Sequence, residues 1–372
     1  MTTYAPKTFK LILQPLTPIH IGDGGELRHG FDFVIKDGYT WRLDEDAILE
    51  AKWDAMGLNR KRRTHYPLPG EVLTENDFKN PALFRYVLRG APRSRKADAR
   101  LKTFIKDHED RPYIPGSSLK GALRTALAWK GWDEVIRHPI DRRDIGNRRS
   151  WAGQRLERKL FGKDPNHDLL RALQVSDLHG DLNPNEALAV VNAQVLTRGS
   201  LQSPIELEAL LPNRTLTGTI TIDEYLFSPQ AERELHFGRR KRWLDELMAR
   251  VQAYSKARLE KRLLPWFESI SGAEKIANFY RQIYSLKLAP DQALVQIGWG
   301  TGWDGKTFWT HLQTDEYLFE KLMRDFRLQH RRGRNAPRTR AKDFPLSRRV
   351  VVSKGAIAAP FGWVVITLEE AK

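Results

Sequence analysis

The chain has 372 residues, 41 % of them hydrophobic and 11 of them Trp, which is enough apolar material for about two domains. Its 62 Lys and Arg outnumber 46 Asp and Glu for a formal charge of +16, and there is no Cys at all. Disulfides, thiolate catalysis and Cys-type zinc sites are thereby excluded, while a field of that sign and size favours a polyanion such as nucleic acid. The N-terminal segment lacks the basic and apolar regions of a signal peptide. The most apolar late stretch, 356–366, is broken by Pro360 and too short to span a bilayer. These features predict a cytoplasmic chain that does not engage membranes.

In chain order, Phe9, Leu11 and Leu13 alternate with Lys10, Ile12 and Gln14, so 9–21 reads as a strand that Gly22, Gly24 and Gly25 then break. Strands over 31–36 and 39–43 flank Asp37-Gly38, a hairpin signal because Gly tolerates positive φ. Asp44 caps a helix running to about Met56. Residues 58–102 read as irregular and basic, with a cluster at Arg60–Arg63 and a looser one from Arg85 to Lys102. Residues 137–163 are basic again, and short strands follow at 173–175, 189–195 and 216–222. Pro204 and Pro212 place a domain boundary near 205–212. From Arg239 to Leu264 a long helix is expected, because Trp243, Leu244, Leu247, Met248, Val251 and Tyr254 form one apolar stripe. A strand over 294–299, a helix capped by Asp315 and running to about Leu328, a basic segment over 331–349 and a closing strand over 364–368 complete the chain. Strand, hairpin and helix in this order indicate an α+β layer structure.

Three constellations carry chemistry. In Ile114-Pro115-Gly116-Ser117-Ser118-Leu119-Lys120-Gly121-Ala122-Leu123-Arg124, Ser117 or Ser118 suits an N-cap, and Lys120 and Arg124 share a helix face near its start. Free N–H groups, the positive end of the helix dipole and two cations make a phosphate site, and an ordinary capped helix with solvated cations is equally open. In Gly298-Trp299-Gly300-Thr301-Gly302-Trp303-Asp304-Gly305-Lys306-Thr307, glycines admit a close ligand, the indoles offer stacking faces and Lys306 a phosphate contact. Gly300 to Thr307 also satisfies the Walker A spacing, but a P-loop needs a helix directly after Lys-Thr and a second acid on a parallel strand, neither of which the sequence suggests. The third constellation is Asp177-Leu178-His179-Gly180-Asp181, with His20 and Asp23 at the first glycine loop. It suits metal ligation, acid–base chemistry or turn formation.

These residues resemble a known family. Leu16-Thr17-Pro18-Ile19-His20-Ile21-Gly22-Asp23-Gly24 looks like the opening motif of CRISPR-associated RAMP proteins, and PYIPGSSLKGALRTAL, ending at Leu127, resembles their signature segment. Leu160-Phe161-Gly162 followed by Leu173-Gln174-Val175-Ser176-Asp177 is similar to a further RAMP pair. Gly298 to Thr307 resembles the glycine-rich loop of the fifth subunit of the Csm family in type III-A systems.

The resemblance implies RRM-like (ferredoxin-like) α+β domains with helical and loop insertions, one over 1–208 with basic insertions and one over 209–372 with the long helix and glycine-rich loop. It implies a non-catalytic subunit that binds guide RNA (crRNA), caps the backbone filament at the crRNA 3′ end and supports crRNA maturation and antiviral defence. Partners would be crRNA, the neighbouring RAMP backbone subunit, the small helical subunit and host nucleases. No cofactor and no metal is implied. The RNA-contact candidates are His20, Gly22, Gly24, Ser117, Ser118, Lys120, Arg124, Gly298, Trp299, Gly300, Gly302, Trp303, Lys306, Arg338 and Arg340, with Gly305 in the same loop. Two rival readings stay open: a crRNA-processing endoribonuclease using His20 or His179, and a RAMP subunit of a type III-B complex.

Overall fold

A computed structural model describes residues 4–57, 66–94, 96, 99–136, 138–307, 309–328 and 340–370. Among them the strands are β1 (Lys7–Pro15), β2 (Gly22–Arg28), β3 (Phe33–Lys36), β4 (Tyr39–Leu43), β5 (Phe84–Arg89), β6 (Arg100–Phe104) and β7 (Leu173–Val175). They continue as β8 (Leu188–Thr197), β9 (Leu201–Leu210), β10 (Leu216–Ile222), β11 (Gln292–Gln296), β12 (Ser347–Ser353), β13 (Ala356–Ala359) and β14 (Trp363–Glu370). The longer helices are α1 (Glu45–Ala51), α2 (Gly116–Val135), α3 (Gln154–Phe161), α4 (Pro229–Leu235), α5 (Leu247–Arg258), α6 (Glu274–Tyr284) and α7 (Glu316–Asp325).

The strands form two sheets. One runs β11-β14-β1-β10-β7, antiparallel throughout. The other runs β2-β6-β9-β8-β5-β4-β3, with β12 also on β8 and β13 on β12. In β1 the expected alternation holds: Leu11 and Leu13 are buried, Lys10 and Gln14 exposed. The β3–β4 turn has positive φ at both Asp37 and Gly38, the geometry that matches strand twist. Leu119, Leu123 and Leu127 on α2 and Leu247 and Val251 on α5 share one core with Leu11, Leu13 and Ile366 of the first sheet. Each such Leu contributes roughly 1.5–3 kcal/mol by leaving water.

The structure corrects several expectations. Residues 58–102 are not wholly irregular, since β5 and the start of β6 lie there and pair in the second sheet. The long helix is segmented: Lys241–Asp245, then α5, a π-turn at Leu259–Leu263 and a last piece at Leu264–Glu268. Pro265 has no N–H for the ladder, and a widened turn just before it absorbs the mismatch. Position 208/209 falls inside β9, and each sheet takes strands from both sides of it. Pro204 marks a bulge rather than a linker, because the β8–β9 register shifts between Ala193 and Val195, opposite it. Among the described residues no helix is long and apolar enough to cross a membrane.

Candidate nucleic-acid interface

The segment after β1 is stapled to the end of β9 and to the start of β14. Trp363 O accepts from Leu16 N at 2.8 Å, Ile19 N donates to Leu210 O at 3.0 Å, and Gly362 N donates to Pro18 O at 2.9 Å. Trp299 N donates to His20 O at 2.8 Å, so the opening motif and the glycine-rich loop, 279 residues apart in sequence, lie side by side. Gly298 makes this possible: its φ is +74°, and a Cβ there would stand 2.6 Å from His20 O.

His20 is 3 % exposed, with Nδ1 2.7 Å from Glu208 O and its ring edge-on to Phe104 and Trp299. Burial pulls its pKa down, against the opposing pull of Glu208. Its ring therefore supports the loop from beneath. Gly22 and Gly24 lie exposed on β2, whose start is held by Gly25 N donating to Asp23 Oδ1 at 2.7 Å.

The glycine-rich loop turns inward at its centre. Asp304, fully buried, accepts from Arg348 Nη1 and Nη2 at 3.1 and 2.8 Å and from Arg258 Nη2 at 3.4 Å. Burial alone would raise this carboxyl, but Arg348, Arg258 and Arg262 hold it well below the ordinary carboxylate range. Arg258 Nη2 also donates to Thr301 O at 2.6 Å. The two indoles are framework, not free stacking faces. Trp303 packs on Phe319 and Phe344, and Trp299 on His20 and Phe361 with the Arg349 guanidinium 4.4 Å from its ring centre. Gly300 and Gly302 keep positive φ, Gly302 and Lys306 are exposed, and Gly305 packs on Arg258. A short helix, Trp309–Gln313, does follow Thr307, but among the described residues β11 pairs only with β14, antiparallel, and a 3₁₀ turn, Trp303–Gly305, precedes Lys306, so the Walker A spacing has no P-loop around it.

At the signature segment the N-cap residue is Pro115, not a serine, and Asp177 Oδ1 takes the Gly116 N–H at 2.8 Å. Only glycine fits at 116, since a Cβ would meet Val175 O at 2.3 Å. Asp177 is thus a cap supplied by the strand end after β7, in keeping with the turn reading of its motif. Asp177→Ala is expected to lower stability by about 1 kcal/mol, seen as a smaller urea midpoint. An unchanged midpoint would show that the cap carries no weight. Ser117 is exposed and Ser118 half-buried on the first turn. His179 is exposed and stacked on Tyr113, with centroids 5.4 Å apart.

Arg124 is clamped. It donates to Asp168 at 2.9 and 3.1 Å, reaches Glu157 at 3.4 Å, and lies 4.0 Å over the Phe161 ring, pinning α3 to α2. Two concavities meet at Arg124 and Glu157. One, of about 330 Å³, is closed by Thr125 and Ala128 on one side and Trp303, Lys306 and Thr307 on the other. The second, of about 620 Å³, opens beside Lys120 and Gly121. The signature helix and the end of the glycine-rich loop therefore border one continuous surface, where Lys120, Arg149, Arg158 and Lys306 have no ion-pair partner among the described residues. Arg340 is exposed before a 3₁₀ turn, Ala341–Asp343. Arg338 and the Arg60–Arg63 cluster lie outside the described residues. Some cations of the basic segments are paired, Arg85 with Asp110, Arg93 with Glu206 and Lys102 with Glu26.

Sequence reasoning missed Glu208, Arg258 and Arg348. One signal was legible: Arg258 continues the α5 apolar stripe of Val251 and Tyr254, a position where an unpaired charge would not be tolerated. Among the described residues no group of three or more His, Asp or Glu is placed to hold a metal ion.

The sequence pattern of the RAMP superfamily matches residues 12–303, and the chain belongs to that superfamily. Its α+β architecture of helices on curled sheets is the ferredoxin-like one elaborated by insertions. Within the superfamily the chain is similar to proteins called CRISPR system Cms protein Csm5. That of Methanocaldococcus jannaschii is 25 % identical over 390 aligned positions, covering 98 % of this chain and 90 % of the relative. That of Mycobacterium tuberculosis is 27 % identical over 348, covering 83 % and 85 %. In fold the chain resembles a subunit of a Csm–crRNA–target RNA ternary complex of a type III-A CRISPR–Cas system, with TM-score 0.69, 23 % identity and coverage of 97 % of this chain and all of that one. It also resembles T. onnurineus Csm5, with TM-score 0.60, 22 % identity and coverage of 95 % and 99 %.

Proposed function

We propose that this chain is a Csm5-type subunit of a type III-A CRISPR effector complex, which holds crRNA by its backbone without cutting it. The observation that carries this is the surface shared by the α2 signature segment and the glycine-rich loop, where Lys120, Arg149, Arg158 and Lys306 have no ion-pair partner among the described residues. Fixed cations beside a rigid loop suit phosphates, and they read no base sequence. The filament-end position, next to a backbone RAMP subunit and near the crRNA 3′ end, belongs to the same proposal and rests on the likeness to Csm5 proteins. So do contacts with the small helical subunit and host nucleases, and a cytoplasmic location. Non-catalytic action is supported by His20, whose buried ring already engages Glu208 O.

The test is equilibrium binding of end-labelled crRNA to the full chain, alone and assembled with its neighbouring subunits, with the RNA then run on a denaturing gel. Full-length bound RNA is expected. For about four phosphate contacts, affinity falls roughly 50-fold between about 50 mM and about 200 mM salt. Lys120→Ala with Lys306→Ala should weaken binding and flatten that slope by roughly 1.4. Absence of binding in both settings would overturn the proposal. Discrete shortening of the RNA that disappears in His179→Ala would make the chain an endoribonuclease instead.

A further inference from the structure

The groove between α2 and α3 carries features that phosphate binding alone does not require. Trp151, at the end of the 3₁₀ turn Arg149–Trp151, is 55 % exposed, and its ring makes no aromatic contact among the described residues. It lines the 620 Å³ groove with Lys120, Gly121, Arg158 and Arg171. The carboxylates lining the same groove are engaged internally. Asp168 holds Arg124 and the Leu170 N–H, Asp164 holds His167 and the Asn166 N–H, and Glu157 reaches Arg124. Lys120 and Arg158 have no such partner among the described residues, and Arg171 donates to the neutral Asn166 carbonyl. Four cations, Lys120, Arg124, Arg158 and Arg171, thus line the groove against three carboxylates, Glu157, Asp164 and Asp168.

Gly121 is the independent observation. It lies inside α2, where glycine costs about 0.5–1 kcal/mol relative to alanine, yet a Cβ there would meet none of the described residues within 4 Å. Gly131 of the same helix is different, because its Cβ would strike Trp243 at 2.2 Å. Packing inside the chain therefore explains Gly131 and not Gly121. A bare stretch of helix on the wall of a groove is what a closely approaching ligand needs. Burial already pulls the Lys120 pKa down, with Asp168 opposing and Arg124 adding to the pull, and an incoming phosphate would relieve that cost.

We propose that this groove is a subsite for one unstacked nucleotide of single-stranded RNA, its base on the Trp151 indole, its sugar–phosphate backbone passing over Gly121, and its flanking phosphates on Lys120 and Arg158. The proposal rests on the RNA-binding reading above and names a place and a mode of contact for it. A base on an aromatic ring contributes about 1–3 kcal/mol whatever its identity, so the subsite grips RNA without reading it.

The experiment uses the full chain with a short single-stranded RNA oligonucleotide, the same sequence as a blunt duplex, and inorganic polyphosphate. Trp151→Ala should weaken single-stranded RNA binding about tenfold or more with an unchanged salt slope, and Trp151→Phe should restore most of it. Neither change should alter polyphosphate binding, which uses charge alone. Gly121→Leu should weaken RNA binding as well while thermal stability holds or rises, since helix propensity improves. Wild-type affinity for RNA in both Trp151→Ala and Gly121→Leu would overturn the subsite and leave the RNA-binding function standing. Equal losses for RNA and polyphosphate in Trp151→Ala would also overturn it, because a stacked base would then have no part. A wild-type chain that binds no RNA, alone or assembled, would overturn both proposals together.

Discussion

Asp304→Ala is expected to destabilise the protein by about 3–5 kcal/mol, because it removes the carboxylate that compensates buried guanidiniums. Arg258 and Arg348 are almost wholly inside the protein, and Arg262 adds a third cation nearby. Without Asp304 they would be buried charges with no counter-ion, and the glycine-rich loop would lose its central anchor. The measurement is urea unfolding followed by far-UV circular dichroism. A loss below about 1 kcal/mol would mean that water or a rearranged loop replaces the carboxylate. The pH dependence has a definite sign. Burial would raise the carboxyl, but the three arginines hold it well below its usual range, so its folded value lies under its unfolded one. Its contribution is therefore complete above the unfolded value of about 3.9, and is lost only as pH falls from there through the folded value. Near neutrality the anchor is insensitive to pH.

Glu208→Ala should have an effect of the same order, about 3–5 kcal/mol, for a related reason. Glu208 is fully buried and accepts from Tyr86 Oη at 2.8 Å, Phe104 N at 2.9 Å and Lys106 Nζ at 2.6 Å. Its removal leaves a phenol and a backbone N–H without their acceptor, and an ammonium that is 9 % exposed with the Phe104 carbonyl at 3.0 Å but no counter-charge. Each orphaned donor is a desolvation cost with no return. Glu208→Gln keeps an acceptor and should lose less. Thermal unfolding of the two variants gives the order, and equal losses would show that the ammonium charge, not the hydrogen-bond count, sets the cost. Burial raises the Tyr86 phenol well above its usual value and the Glu208 carboxylate raises it further, so the ring stays a donor at all physiological pH. The main chain of Glu208 holds His20, which places this cluster directly behind the opening motif.

Local signals were readable wherever a residue acts on its immediate neighbours. Asp44 caps α1 through the Ala47 N–H, and Asp315 caps α7 through the Leu318 N–H, because a short acceptor before a helix has few other partners. The stripe from Trp243 to Tyr254 is buried throughout. The signature and glycine-rich segments were visible as runs of glycines and cations, and because they resemble RAMP motifs. The cap of α2 was not visible, because its acceptor, Asp177, comes from 61 residues downstream. Arg124 offered a phosphate contact in sequence and became a clamp in three dimensions, since Asp168 and Phe161 converge on it only after folding. Trp151 carried no sequence signal at all. Its exposure is a property of the surface around it.

The sequence by itself determined the α+β class, the basic character and the two segments that border the candidate site, because periodicity, charge and glycine spacing act within a few residues. The tertiary structure alone decided which strands pair, with β14 completing a sheet beside β1. It also decided which charges face inward, as Asp304 and Glu208 do, and which stay available, as Lys120 and Arg158 do. Pairing across hundreds of residues and the partner of each charge depend on where distant segments meet, and no local pattern encodes that.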